Sequence, residues 1–167
     1  MYPKQACGWT VLRVVLGIIF LVHGWQKLFG FGFHGVAGFF GTLGIPLPAI
    51  TSIVVTLVEF FGGLALLLGL FTRWAAILIA IDMFGAIFFV HLKNGFFNHV
   101  QGYEYPLILA VSALSFVWGG PGPLSLDAVL GIQASGLLWA VGALAAGLVG
   151  GAIQLAGRRV PAAQKAS

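Results

Sequence analysis

The sequence predicts an all-α membrane protein: a four-helix transmembrane bundle followed by a fifth, C-terminal transmembrane helix. Two observations predict it. The 167 residues are 60% hydrophobic and only 7% charged, with a mean hydropathy of +1.05, a composition foreign to water-soluble domains. The apolar residues also fall into runs of membrane-spanning length, because a hydrocarbon core about 30 Å thick takes about 20 helical residues to cross.

Residues 9–29, 49–70 and 74–92 are three such runs. A fourth starts near Tyr105 and fades into the Gly119-Gly120-Pro121-Gly122-Pro123 break. It is short for a span, so it is expected to begin before Tyr105 or to cross a thinned region. The fifth occupies 134–156, which divides the chain into a four-helix membrane domain, 1–130, and an added helix with a basic tail, 131–167. Two longer connections, 30–48 and 93–104, are expected as loops, and long loops often carry function. The first run is read as retained: it holds Arg13 and runs into Trp25 and Phe29 where a signal peptide would need small residues.

Cys7 is the only cysteine, which excludes an internal disulfide and a Cys-x-x-Cys redox pair. The net charge of +4 is spread with no basic run longer than Arg158-Arg159. Anionic lipid head groups, not nucleic acid, are the expected partner. The balance of Lys and Arg near the ends of five spans places the amino terminus outside and the carboxyl terminus inside.

The segments Gly17–His23 and Gly85–His91 share the pattern Gly-x-Ile-Phe-x-Val-His, and Lys27 and Lys93 follow within four residues. The pattern sits at the same relative place in the first and third spans, so these helices would run in the same direction. The first four spans then read as two hairpins in parallel repeat.

Charges at membrane depth need a reason, since a lone carboxylate there costs about 2.5–3.5 kcal/mol. Glu59 and Asp82 lie at the midpoints of the second and third spans. On the second span Ser52, Thr56, Glu59 and Gly63 form one polar, small-residue stripe; on the first, Arg13, Gly17, Phe20, Gly24 and Lys27 form another. Packing these stripes together is expected to let Arg13 reach Glu59 as a structural ion pair, with Asp82 either sharing Arg13 or held protonated by desolvation. The other reading of Glu59 is a proton-handling carboxylate beside a substrate site. His91, nine positions beyond Asp82, falls about 180° away on a straight helix, so the two are not expected in one site unless Gly85 allows a kink.

His23, His34, His91 and His99 fall on one membrane side with Lys27, Lys93 and Glu104. They are read as interfacial anchors, as the lining of a quinone head-group pocket, or as axial ligands, His23 with His91, for a haem or metal. The candidate roles are proton handling by Glu59 and His23, substrate binding by Lys27, His91, His99 and Glu104, ion pairing among Arg13, Glu59 and Asp82, and no metal site.

The runs LRVVLGIIFLVHGWQKL, VEFFGGLALLLGLFTR, YEYPLILA and GPGPLSLD, spread over about residues 10–130, resemble the DoxX family of small prokaryotic membrane proteins. The resemblance implies a four-helix bundle whose matching polar positions are Arg13, His23, Lys27, Glu59 and Glu104. Members are named after a subunit of an archaeal thiosulfate:quinone oxidoreductase, others are linked to oxidoreductase complexes of oxidative and thiol stress, and distant relatives are not enzymes. The expectation is an accessory or quinone-interacting subunit in the inner (plasma) membrane, multi-pass, with no intrinsic cofactor, other redox subunits as partners and homo-oligomers as an open case. The alternative is a non-catalytic assembly or scaffold protein that docks a partner through its helices.

Overall fold

The computed structural model describes residues 3–132, and among them every regular element is helical. The expected fifth helix at 134–156 and the basic tail lie outside the described residues. Helix α1, Pro3–Trp25, continues into a π-helical turn, Gln26–Phe31. Gly32, at φ +66°, redirects the chain into α2, Gly32–Thr42. Helix α3 spans Pro48–Leu68, opened by a proline at its first turn, where a missing N–H costs nothing. It is closed by Gly69 at φ +70°, with Gly69 N–H bonded to Leu66 O and Leu70 N–H to Ala65 O. Helix α4, Thr72–Ala86, passes into a π-helical turn, Ile87–His91, and a short 3₁₀ turn, Leu92–Asn94. Helix α5, Glu104–Gly119, and a one-turn α6, Leu126–Val129, complete the described chain.

Lys4–Thr42, Pro48–Leu68 and Thr72–Asn94 are long and apolar enough to cross a membrane. The apolar helix α5, at 16 residues, covers about 24 Å and is shorter than these; it starts at Glu104, one residue before Tyr105. The segment 30–48 corrects an expectation: it is helical to Thr42 rather than a loop. No proline interrupts it before Pro46, and Val36 and Phe40, one helical turn apart, bury against Ile45 and Phe89.

The helices pack in the cyclic order α1, α3, α4, α5. Consecutive spans are antiparallel, so α1 and α4, which carry the twin motif, run in the same direction at opposite corners. The core is built from Leu16, Phe20, Leu66, Ile79, Ala110, Phe116 and their neighbours. The two stripes meet as expected: Gly17 lies against the backbone of Gly63 and Leu67, Gly24 against Phe60, and Gly63 against Phe20 and Leu21. Close helix approach through small residues supplies the packing that lipid cannot drive.

That register corrects the expected Arg13–Glu59 pair. With Gly17 opposite Gly63 and Leu67, Arg13 stands at the carboxyl end of α3, more than a turn beyond Glu59. Its guanidinium, 2% exposed, donates to the carbonyls of Leu66 (2.6 Å), Leu67 (3.1 Å) and Leu124 (2.6 Å). A cation there meets the negative end of the helix dipole. Asp127 completes this end: its carboxylate accepts from Phe71 N–H (2.7 Å) and Thr72 N–H (2.9 Å), capping α4. Arg73 donates to Val117 O, and Trp9 Nε1 to Gly120 O at 2.9 Å. The GPGPLSLD run therefore ties the helix ends on one membrane side. Replacing Asp127 with Ala removes the cap of α4 and should cost about 2 kcal/mol, read as a lowered unfolding temperature in detergent.

Candidate functional site

The opposite end of the bundle holds the chemistry. Helices α3 and α4 join through a tight turn centred near Leu70, so Glu59, eleven residues before it, and Asp82, twelve after it, arrive at the same depth. Glu59 is 4% exposed, and the Lys27 ammonium at the end of the α1 stripe donates to its Oε2. Asp82 lies beside both, interacting with the Glu59 carboxyl and with Lys27. The ion pair at this end is Lys27–Glu59, and Arg13, held at the other end of the bundle, does not reach Asp82. Asp82 Oδ2 is buried without a hydrogen-bond partner. Two carboxyls and one ammonium thus line one cavity, where the buried Asp82 oxygen is open to a ligand donor.

His91 joins them through a feature the sequence did not announce. On a straight helix it would face away from Asp82, but a π-helical turn rotates less per residue than an α-helical one. The turn at Ile87–His91 brings His91 to the side of the same cavity as Asp82. The sequence lets the two meet only through a kink at Gly85; the π-helical turn that starts two residues later takes that part. The turn also breaks the symmetry of the twin motif: Phe20 is buried while its counterpart Phe88 is exposed.

The cavity, about 440 Å³ in volume, lies between α2, α3 and α4. Its walls are apolar, with Phe39, Phe40 and Ile45 on one side and Val55, Met83, Ala86 and Phe89 on the other. Lys27, Glu59 and Asp82 occupy the deep end, while His91, Asn98 and Gln101 lie toward the 92–104 connection. His91 Nδ1 donates to the Gln101 carbonyl at 2.7 Å and Asn94 Nδ2 to the same oxygen at 3.2 Å, so the imidazole is tied to the loop that borders the cavity.

Among the residues selected from sequence, Lys27, Glu59, Asp82 and His91 come together and line this cavity. His23, His34 and His99 are exposed and do not line it. Glu104 is also exposed; its carboxylate accepts from Asn98 N–H at 3.0 Å, so it fixes a loop residue of the cavity instead of lining it. Arg13 belongs to the other end. Among the described residues no three His, Cys, Asp or Glu side chains gather for a metal. Thr51, Asn98 and Gln101 line the cavity without having been selected; the long polar loop was the available signal for the last two, and Thr51 had none.

The DoxX family model matches residues 8–92, which contain Lys27, Glu59, Asp82 and His91. The chain belongs to the DoxX family. It is 36% identical over 120 residues to "Putative oxidoreductase CatD" of Bacillus subtilis, covering 72% of this chain and 84% of that one. It is 32% identical over 143 residues to "Uncharacterized membrane protein Rv3486" of Mycobacterium tuberculosis, 80% of this chain and 85% of the other. "Inner membrane protein YqjF" of Escherichia coli is 32% identical over 135 residues, 78% and 97% of the two chains. No solved structure matches. Like these DoxX-type relatives, the chain is a membrane protein with several apolar helices.

Proposed function

We propose that this DoxX-family chain is a quinone-interacting accessory subunit of an inner-membrane oxidoreductase complex, with the ring bound in the cavity between α2, α3 and α4. The observation that carries the reading is the cavity's composition: apolar, phenylalanine-bearing walls ending on Lys27, Glu59 and Asp82, with an unpartnered Asp82 oxygen at the end. Its volume falls within the range of small-molecule sites, about 300–1,000 Å³. The names of CatD and YqjF support an oxidoreductase setting in the inner membrane.

A quinone becomes a quinol by taking two electrons and two protons. The two electrons would be supplied by a redox centre of a partner subunit. This chain supplies position and protons: the Lys27 ammonium donates a hydrogen bond to one ring oxygen, which takes one proton by way of Glu59 and Asp82, and the other ring oxygen takes the second proton from the His91 side of the cavity. His91, on the same cavity, is placed to exchange protons with the loop side.

The test is extraction of the tagged chain in mild detergent, with mass spectrometry of co-purifying proteins, an absorption spectrum and solvent extraction of bound quinone. The expected result is about one quinone per chain and stoichiometric recovery of a flavin, haem or sulfur-handling subunit. A colourless, self-associated protein without quinone would overturn the proposal in favour of an assembly role.

A further inference from the structure

Helix α2 is the glycine-rich wall of the cavity. Glycine stands at every third position from Gly32 to Gly44, and each glycine inside a helix lowers its stability about fivefold relative to alanine. Packing does not demand them all, because a Cβ on Gly38 or Gly41 would meet nothing within 4 Å. Both ends of α2 turn on glycines of positive φ, Gly32 at +66° and Gly44 at +70°, where backbone rotation is least restricted. Beyond its packing along α3, α2 is fastened on the cavity side by the small cluster of Val36 and Phe40 with Ile45 and Phe89, and Phe40, Ile45 and Phe89 are themselves cavity wall. Moving α2 therefore widens the cavity on its lipid-facing side. Its outward side carries no Lys, Arg, Asp or Glu and exposes Phe39, so it faces lipid without a charge penalty.

We infer that α2 is a lateral gate through which the cavity takes a ligand dissolved in the bilayer, an amphiphile with a flat polar head and an apolar tail, instead of a solute arriving from water. Elements of low local stability are the ones that open first. The inference rests on the proposed function only for the chemistry of the head group, and the gate exists or fails independently of it.

Cys7 is the only cysteine, so Cys7→Ser gives a thiol-free background. Met83→Cys then places a thiol in the cavity wall beside Asp82, and Val55→Cys, across the cavity, is the second variant should the first fail to fold. The full chain in lipid nanodiscs is labelled with a lipid-soluble maleimide and, separately, with a charged, water-borne thiosulfonate, each rate scaled to that of the exposed Cys7 in the otherwise unaltered chain. The maleimide is expected to react faster, and Gly38→Ala with Gly41→Ala to slow it about 25-fold, in step with slower amide exchange across α2. A maleimide rate that stays unchanged while α2 exchange slows would overturn the gate. So would equal access for the charged reagent, which would move the entrance to the aqueous side by Asn98 and Gln101. No quinone is used, so failure here is distinct from failure to bind one.

Discussion

Glu59→Gln is expected to leave a folded, normally abundant protein that lowers quinone turnover of its complex at least about 100-fold, the scale of a lost proton-transfer group. Abundance is preserved because the glutamine keeps the shape of Glu59 and an oxygen that accepts from the Lys27 ammonium, which is itself partly exposed. The contrast with the assembly reading is direct. If Glu59 served packing alone, the amide would change abundance and activity in proportion, and turnover per folded complex would stay constant. The double change Glu59→Gln with Asp82→Asn strips Lys27 of both neighbouring carboxyls, and folded protein should then fall sharply. Adding Lys27→Met should restore folding without restoring turnover. Measured together, abundance and turnover separate the charge balance of the trio from its chemistry.

The sequence carried the stripes but not their consequence for Arg13. Arg13, Gly17, Phe20 and Gly24 on α1, and Ser52, Thr56, Glu59 and Gly63 on α3, are buried as their spacing requires. Antiparallel packing of Gly17 on Gly63 already sets Arg13 beyond the reach of Glu59 and brings Lys27 toward it, so the true pair was latent in the register. Two other features were not legible. The segment after Gly32 has the glycine content of a loop, and only tertiary burial of Val36 and Phe40 makes it a helix. The π-helical turn at Ile87–His91 has no residue signature in the chain, yet it decides that His91 and Asp82 share a cavity. The candidate site was therefore readable in its membrane-depth charges, which are expensive and conspicuous, and unreadable where it depends on helix rotation.

The largest structural effect is expected one residue away from one of the mildest. Gly63→Ala would drive a methyl group into the backbone of Phe20 and Leu21 on α1, and backbone cannot move aside without separating the two helices. The cost should be about 3 kcal/mol or more, at the upper end for an overpacked contact, with the α1–α3 register and the Lys27–Glu59 pair lost together. At Gly62 the same methyl would meet the Ile79 side chain, 3.2 Å from its Cδ1, and a side-chain end can change rotamer. Gly62→Ala should cost about 1 kcal/mol or less. Unfolding temperatures of the two variants in one detergent make the comparison. Similar losses at both positions would mean that glycine serves helix flexibility throughout α3, whereas a large loss confined to Gly63 follows from backbone contact with α1, the contact that brings Lys27 to the two carboxyls.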